Sequence, residues 1–213
     1  MSALSSLDWH AVRDHYDLRQ KASTELLRLH AQRKLPQFID LLLGISDSTG
    51  NYSASEHGLG PKIIAENLNA EDRLYAISTD FLRVKSAHEI PPMIRGARLR
   101  YFQIGVGSEA SCMLNPRVCW VANVRTIWTH LVIKHADNFQ KAAEELQLYR
   151  DSDVTSEMAY EMWQAIHGEL AGTITRVAEE GAQLAKRAAV SPGSVKYIWA
   201  DAIANQLYQD YYE

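Results

Sequence analysis

Basic side chains are concentrated in the middle of this 213-residue chain. Residues 82–135 hold eight Lys and Arg against two acids, whereas the whole chain has a formal net charge of −4. A local excess of positive charge in an acidic protein indicates contact with an anionic partner. The residues that we expect to make this contact are Arg95, Arg98, Arg100, Arg125 and Lys134. The same charges could instead pair with acids on flanking helices, so two interpretations stay open.

Aromatic residues are interleaved with these charges, and they suggest which anionic partner to expect. They are Tyr101, Phe102, Trp120 and Trp128. Exposed rings beside basic groups provide surfaces on which nucleic-acid bases stack. The pattern therefore favours nucleic acid as the partner, with an acidic protein surface second. The alternative is that the rings belong to the hydrophobic core.

The stretch "GVGSEAS", residues 105–111, has the look of a phosphate-binding loop. Glycines let backbone N–H groups approach an anion, and a following helix adds its dipole. The stretch lacks the third glycine of the dinucleotide motif and the lysine of the P-loop, and Glu109 would repel a phosphate. A tight turn from a strand into a short helix is favoured instead, and no cofactor is predicted.

A polar stripe follows on the helix that we predict over residues 118–135. At about 100° per residue, Asn123, Thr126, His130 and Lys134 share one face, with Arg125 and Thr129 beside it. Such a stripe is either an ordinary solvent face or the lining of a cleft. In the second case the long loop predicted at residues 45–61 would frame the cleft, and His57 or His130 would act as the acid or base.

Histidine spacing argues against a metal site. His10 and His15 are five residues apart, and so are His130 and His135. Two histidine ligands on one helix face need a spacing of four, because a spacing of five turns the second ring away. We therefore predict no metal ligand.

The candidate nucleophiles also lack their usual surroundings. Cys112 and Cys119 are too few for a disulfide scaffold, and we expect two buried free thiols in a reducing cytoplasm. Ser108 lacks the second glycine of a nucleophile elbow, since Ala110 stands in its place. We therefore predict no catalytic residue.

Hydrophobic periodicity predicts a mainly α protein, a multi-helix domain with a small β element near residues 97–106. The most regular helical pattern runs from residue 155 to 189, with Thr155 or Ser156 as its cap. Pro36 and Gly44 mark the start and end of an earlier helix. Leu99, Tyr101 and Gln103 alternate with Arg100, Phe102 and Ile104, which predicts the strand.

The chain as a whole is predicted to be a single helix-rich domain over residues 1–213, with possible sub-parts at 1–69, 70–116 and 117–213. The favoured function is a non-catalytic cytoplasmic binding protein that contacts nucleic acid or an acidic protein surface. One alternative is a hydrolase-like enzyme built on loop 45–61 and the polar stripe. Another is an assembly subunit that packs through its aromatic C-terminal helix. No membrane contact is predicted, and an oligomer is possible.

Overall fold

The structure, a computed structural model, describes residues 3–47, 52–151 and 156–212, with the side chains of Ser53 and Glu56 excepted. Two predictions fall partly outside this set, namely Thr155 as a helix cap and the centre of loop 45–61. The chain forms two compact units. We call Met1–Arg19 with Val124–Glu213 the terminal unit, and Gln20–Asn123 the central unit. The single domain stays a prediction.

Helices make up the central unit, which also takes the second half of α1. Their bounds are α1 (Trp9–Ala31), α2 (Leu35–Leu42), α3 (Ser53–Glu56), α4 (Leu59–Glu66), α5 (Ala70–Phe81), α6 (Ile90–Ala97) and α7 (Ile104–Leu114). Gly44 follows α2 with a φ of 63°, the left-handed conformation that ends helices. The predicted helix stop at Gly44 is therefore confirmed.

The terminal unit combines the start of α1 with the C-terminal helices. These are α8 (Val124–Lys134), α9 (Phe139–Arg150), α10 (Glu157–Arg187) and α11 (Lys196–Tyr211). The long helix predicted over residues 155–189 is confirmed by α10. The Ser156 hydroxyl caps it by accepting a hydrogen bond from the Ala159 N–H at 3.1 Å.

Rings and buried polar pairs join α1 to α11 in the core of the terminal unit. The Trp199 ring lies 6.1 Å from that of Trp9 and 5.7 Å from that of Tyr16. Beside these rings, Arg19 pairs with Asp201 at 3.1 Å, and both are buried. A buried charge pair that is broken at one partner is strongly destabilising, so this pair fixes how the two helices face each other.

The small β element predicted at residues 97–106 is wrong, since the described residues form helices and turns but no strand. Arg98 and Tyr101 have φ values of 50° and 65°, which a strand does not allow. Leu99 and Phe102 are both buried, although a strand would place them on opposite faces. The alternating pattern here belongs to a tight connection between α6 and α7.

The loop predicted over residues 45–61 is largely helical where it is described. It contains all of α3 and the start of α4. Tyr52 and Ala54 are buried, and the Ser55 hydroxyl donates to the Gly44 carbonyl oxygen at 2.6 Å. These anchors hold the segment against the end of α2, a contact between residues 11 positions apart that its Ser- and Gly-rich composition does not show.

The helix predicted over residues 118–135 is shorter in the structure, where α8 begins at Val124 and ends at Lys134. Before it, Cys119, Val121 and Ala122 are buried without helical structure. The Ala122 N–H donates to the Ser108 hydroxyl of α7 at 2.9 Å. A side chain from another element thus takes the hydrogen bond that a helix would have used.

Candidate nucleic-acid interface

Within the predicted basic segment, Arg95 belongs to α6, a short surface helix, and Arg98 and Arg100 follow it. A short 3-10 helix, Ala87–Glu89, leads into α6 and begins with a capping box, in which the Glu89 carboxylate accepts from the Ser86 N–H at 2.8 Å and the Ser86 hydroxyl accepts from the His88 N–H. Pro91 and Pro92 occupy the first turn of α6, where a missing N–H has no cost. The proline pair therefore begins this helix and does not only break what precedes it.

The two faces of α6 differ sharply. The inner face is apolar and buried, and consists of Ile90, Pro91 and Ile94. The outer face is exposed and extends from the preceding turn to the residue after the helix; its members are Lys85, His88, Glu89, Pro92, Arg95, Gly96 and Arg98. We call this set the α6 outer face. It carries Lys85, Arg95 and Arg98 against one acid, Glu89, and it has no long side chain at Pro92 or Gly96.

Arg98 lies just past the last turn of α6 in the left-handed conformation, with a φ of 50°. Its side chain is exposed, and no carboxylate of the described residues lies within ion-pair distance of it. The Arg73 guanidinium donates to the carbonyl oxygens of Ala97 at 2.6 Å and Arg98 at 3.2 Å. Arg73 thereby satisfies the carbonyls at the end of the helix, and the Arg98 guanidinium is left to the solvent.

Arg100 is held through its backbone by the buried Asn67. The Asn67 amide oxygen accepts from the Arg100 N–H at 2.8 Å, and the amide nitrogen donates to the Arg100 carbonyl at 3.1 Å. The Arg100 side chain is 70% exposed and pairs with Glu66 at 2.9 Å. An exposed pair of this kind is weak and is screened by salt, so it competes poorly with a phosphate.

The "GVGSEAS" stretch lies inside α7 and not in a turn from a strand. Ten of the eleven residues of α7 are buried, and a Cβ at Gly107 would collide with Ile94 of α6. Ser108 is buried and bridges two elements, accepting from the Ala122 N–H while it donates to the Gly105 carbonyl at 3.2 Å. The motif thus allows close helix packing behind the α6 outer face.

The two remaining predicted contact residues belong to the terminal unit. Arg125 is buried, with 9% of its surface exposed. Lys134 is exposed and donates to the Glu145 carboxylate at 2.6 Å. Neither resembles Arg98, because Arg125 offers no surface to a partner and Lys134 already has a carboxylate.

The polar stripe of α8 is mostly buried, so it is not an ordinary solvent face. Asn123, Thr126 and Thr129 are each less than 5% exposed. The Thr129 hydroxyl donates to the Arg125 carbonyl at 3.0 Å, within the helix itself. His130 is half-buried, which leaves Lys134 as the exposed end of the stripe.

His130 has two polar neighbours on α10. Its Nδ1 atom lies 2.8 Å from the Thr173 hydroxyl, and its Nε2 atom lies 3.8 Å from the Glu169 carboxylate. Burial lowers the pKa of His130, and the nearby Glu169 offsets this only in part. Its Nε2 atom is enclosed by protein, which disfavours the charged form of the ring.

Glu145 gathers two cations beside this histidine. It accepts from Lys134 and, at 2.7 Å, from His135. Burial alone would raise the pKa of Glu145, but the hydrogen bonds from Lys134 and His135 outweigh it, so the pKa is lowered. His57, the other predicted acid or base, is exposed and belongs to the central unit.

Most of the aromatic residues that could have stacked on bases are core residues. Phe102, Trp120 and Trp128 are each 5% exposed or less. Tyr101 is half-buried, with the Arg100 guanidinium 5.9 Å from its ring centre. The expectation of a stacking surface is therefore wrong for Phe102, Trp120 and Trp128, which leaves charge as the exposed feature of this region.

The aromatic residues of α11 are likewise engaged within the terminal unit. Tyr208 and Tyr212 lie against Trp128 at 5.7 Å, and Tyr211 stacks on Phe139 at 4.7 Å. Packing through this helix onto a neighbouring molecule stays a prediction.

In the part of the chain that is described, no set of side chains is arranged for metal binding or for thiol catalysis. No cluster of three or more His, Cys, Asp or Glu suited to a metal ion occurs there. Cys112 and Cys119 are free and buried, as predicted. Burial raises the pKa of Cys119 to about 12, so it stays an unreactive thiol.

Three residues of the candidate interface escaped the sequence analysis, namely Asn67, Arg73 and Gly96. Asn67 and Arg73 act on backbone groups far along the chain, and nothing near them in the sequence signals this. Gly96 could have been noticed, because a glycine in the last turn of a short helix has no local purpose.

Comparison with protein-family models, curated proteins and solved structures yields no match to this chain. Among the described helices, none is long and apolar enough to cross a membrane.

Proposed function

We propose that this protein binds nucleic acid through the α6 outer face together with Arg100. The observation that carries the proposal is the run of residues 90–108, which holds three arginines and no acid. All three are exposed, and Arg98 keeps its guanidinium exposed in a left-handed backbone conformation that arginine disfavours. A guanidinium is a planar fork of donors that matches a phosphate.

The composition of the surface around these arginines favours nucleic acid over an acidic protein. Protein interfaces usually contain apolar or aromatic anchors at their centre. The large hydrophobic side chains that are exposed in the described residues are Leu18, Leu27, Ile45, Leu68, Leu148, Met158 and Tyr211. None of them belongs to α6 or α7, so the face offers charge without an anchor.

Charge is also divided unevenly between the units. The central unit holds 12 Lys and Arg against 10 acids, and the terminal unit holds 10 against 16. The central unit therefore has a formal charge of +2 and the terminal unit −6. The two free thiols suit a reducing compartment, and we place the activity in the cytoplasm.

The test is a double variant, Arg98→Gly with Arg100→Gln, in a nucleic-acid binding titration over a range of salt concentrations. Glycine is chosen at 98 because it accepts a φ of 50° without strain, so the guanidinium is lost and the fold is kept. Affinity should fall for every sequence tried, and the slope of log affinity against log salt should flatten by about one to two.

The matched control is Arg33→Gly with Lys34→Gln. Arg33 is also an exposed arginine of the central unit with a left-handed φ, here 52°, and Lys34 is exposed beside it. This variant removes the same charge from the same unit and should bind like the wild type. The proposal fails if the wild type binds no nucleic acid at about 50 mM salt, or if both double variants lose affinity equally.

A further inference from the structure

At the C-terminal end of α6, Gly96 and Arg98 each occupy a position that their residue type disfavours. Arg98 occupies the left-handed position after the helix, where glycine is the preferred residue. Gly96 stands two residues earlier in helical conformation, where glycine has no conformational advantage and destabilises the helix relative to alanine. Each choice lowers stability, and exchanging the two types would be better for the fold.

Packing does not explain Gly96. A Cβ atom added there would meet nothing within 4 Å. Gly107 and Gly181 are different, because a Cβ at either would collide with an isoleucine of a neighbouring helix. Arg33 and Gly172 each break one of these two rules alone, whereas Gly96 and Arg98 break both within three residues. Residues that break local rules without an internal compensation are expected where a protein meets a ligand.

We propose that a double-stranded nucleic acid lies across the α6 outer face, with its sugar–phosphate backbone in closest contact at Gly96. This inference rests on the proposed function and specifies its ligand. Without a Cβ, Gly96 lets the duplex backbone approach the helix closely. Arg95 and Arg98 flank it in the sequence, and Pro92 lies one turn earlier on the same face, so guanidiniums border a position where nothing projects.

The choice of a duplex follows from the burial of the aromatic rings. Proteins that hold single strands combine charge with exposed aromatic rings on which bases stack. Here Phe102 and Trp120 are buried, and the half-buried Tyr101 ring has the Arg100 guanidinium 5.9 Å from its centre, so phosphate contacts supply most of the affinity. A duplex carries about one charge per 1.7 Å of its axis and releases more counterions per contact than a single strand does.

The experiment is a graded series at position 96, Gly96→Ala and Gly96→Leu, in the full-length protein. The control series is Gly172→Ala and Gly172→Leu on α10, an exposed helical glycine whose Cβ would also meet open space. The probes are a random-sequence DNA duplex and its separated strands at the same salt concentration. Thermal unfolding is measured for every variant.

Both alanine variants should raise the Tm by about 1–4 °C, because alanine favours the helix. Only the series at 96 should lose duplex affinity, in the order alanine then leucine, reaching about tenfold for leucine. The wild type should bind the duplex more tightly than either strand. If a variant has a higher Tm than the wild type and still binds the duplex less tightly, misfolding cannot explain the weaker binding.

Two results would overturn this inference and leave the proposed function standing. One is unchanged duplex affinity for Gly96→Leu while Arg98→Gly with Arg100→Gln weakens binding. The other is tighter binding to a single strand than to the duplex. A wild type that binds no nucleic acid would overturn both proposals together.

Discussion

Asn67 shows how one side chain can take the place of a strand partner. Its amide forms hydrogen bonds with both the N–H and the carbonyl of Arg100, and its nitrogen also donates to the Ile63 carbonyl at 2.8 Å. A residue whose backbone N–H and carbonyl are both hydrogen-bonded need not belong to a sheet. This is how residues 98–102 can form a sharp connection and still satisfy their polar groups.

Replacing Asn67 by Ala should lower the free energy of unfolding by about 1–3 kcal/mol, because backbone groups of Arg100 lose their partners. Chemical denaturation measures this directly. Asn69→Gly is the control, since Asn69 has a φ of 52° that glycine accepts. If Asn67→Ala is as stable as the wild type, the amide does not hold the connection.

His130 is a half-buried residue whose environment makes stability depend on pH. Burial lowers its pKa below the ordinary value of 6.5, so the unfolded chain takes up a proton at a higher pH than the folded one. Its contribution is therefore fully present above pH 6.5 and is lost as the pH falls through the folded pKa. The charged neighbours that act on it are Lys134, His135, Glu145 and Glu169.

His130→Asn should make the loss of stability on acidification below about pH 6.5 smaller than in the wild type, because the group that resists protonation is gone. Urea denaturation at a series of pH values measures the difference. His10→Asn, at an exposed position on α1, should keep the wild-type profile. A His130→Asn profile that runs parallel to the wild type would show that the ring does not contribute.

At the scale of elements, α10 illustrates a helix whose stability comes from one apolar stripe. Ile166, Leu170, Ile174 and Val177 are each less than 5% exposed and recur every three or four residues. Positions between them, such as Gln164, face the solvent. This periodicity makes the helix recognisable from the sequence, and the buried stripe packs the helix into the core of the terminal unit.

Ile166→Ala and Leu170→Ala should each lower the free energy of unfolding by about 2–5 kcal/mol, the cost of truncating a buried aliphatic side chain. Gln164→Ala should change it by less than about 0.5 kcal/mol. Denaturant titrations of the three variants measure this order. Equal stabilities would mean that the buried face is wrongly assigned.

The packing of α6 against α7 also depends on a single residue, Gly107. A Cβ at Gly107 would collide with Ile94 and lie 3.3 Å from the Phe102 ring. Close approach of the two helices therefore depends on the glycine, and α6 could not otherwise hold its outer face in place.

Gly107→Ala should destabilise the protein by about 1–3 kcal/mol through overpacking. Ile94→Val removes one of the atoms in the way, so the double variant should be less destabilised than the sum of the single changes. A double-mutant cycle from denaturation curves gives the coupling. Strict additivity would show that the two residues do not press on each other.

At the scale of the whole molecule, the two units differ in net charge: the central unit is weakly basic and the terminal unit is acidic. An overall charge of −4 opposes binding to a polyanion, while the local excess on the α6 outer face favours it. Salt screens both, but the proposed contacts with phosphate would also release counterions. Binding should therefore be strongest at low salt and independent of sequence.

Protein purified from cells at low salt should accordingly carry nucleic acid, visible as excess ultraviolet absorbance characteristic of bases, and should lose it at high salt. Arg98→Gly with Arg100→Gln should carry less in the same low-salt preparation. A wild type and double variant with equal absorbance would contradict the assignment of the face.

Local periodicity was enough to determine the helical character of this protein. The regular stripe of α10, the capping Ser156 and the Gly44 stop are all contained in short stretches of sequence, because a helix is recognised by neighbours three and four residues apart. The mainly α class, which depends on such stretches, is confirmed by the structure.

Tertiary structure alone decided the features that depend on distant partners. Residues 97–106 look like a strand by alternation, but Asn67 contacts Arg100 from 33 positions away and supports a left-handed connection. Arg98 and Arg125 are both arginines within the same basic segment, yet one is exposed and the other buried. Composition records that the charges exist, whereas long-range packing determines which of them reach the solvent.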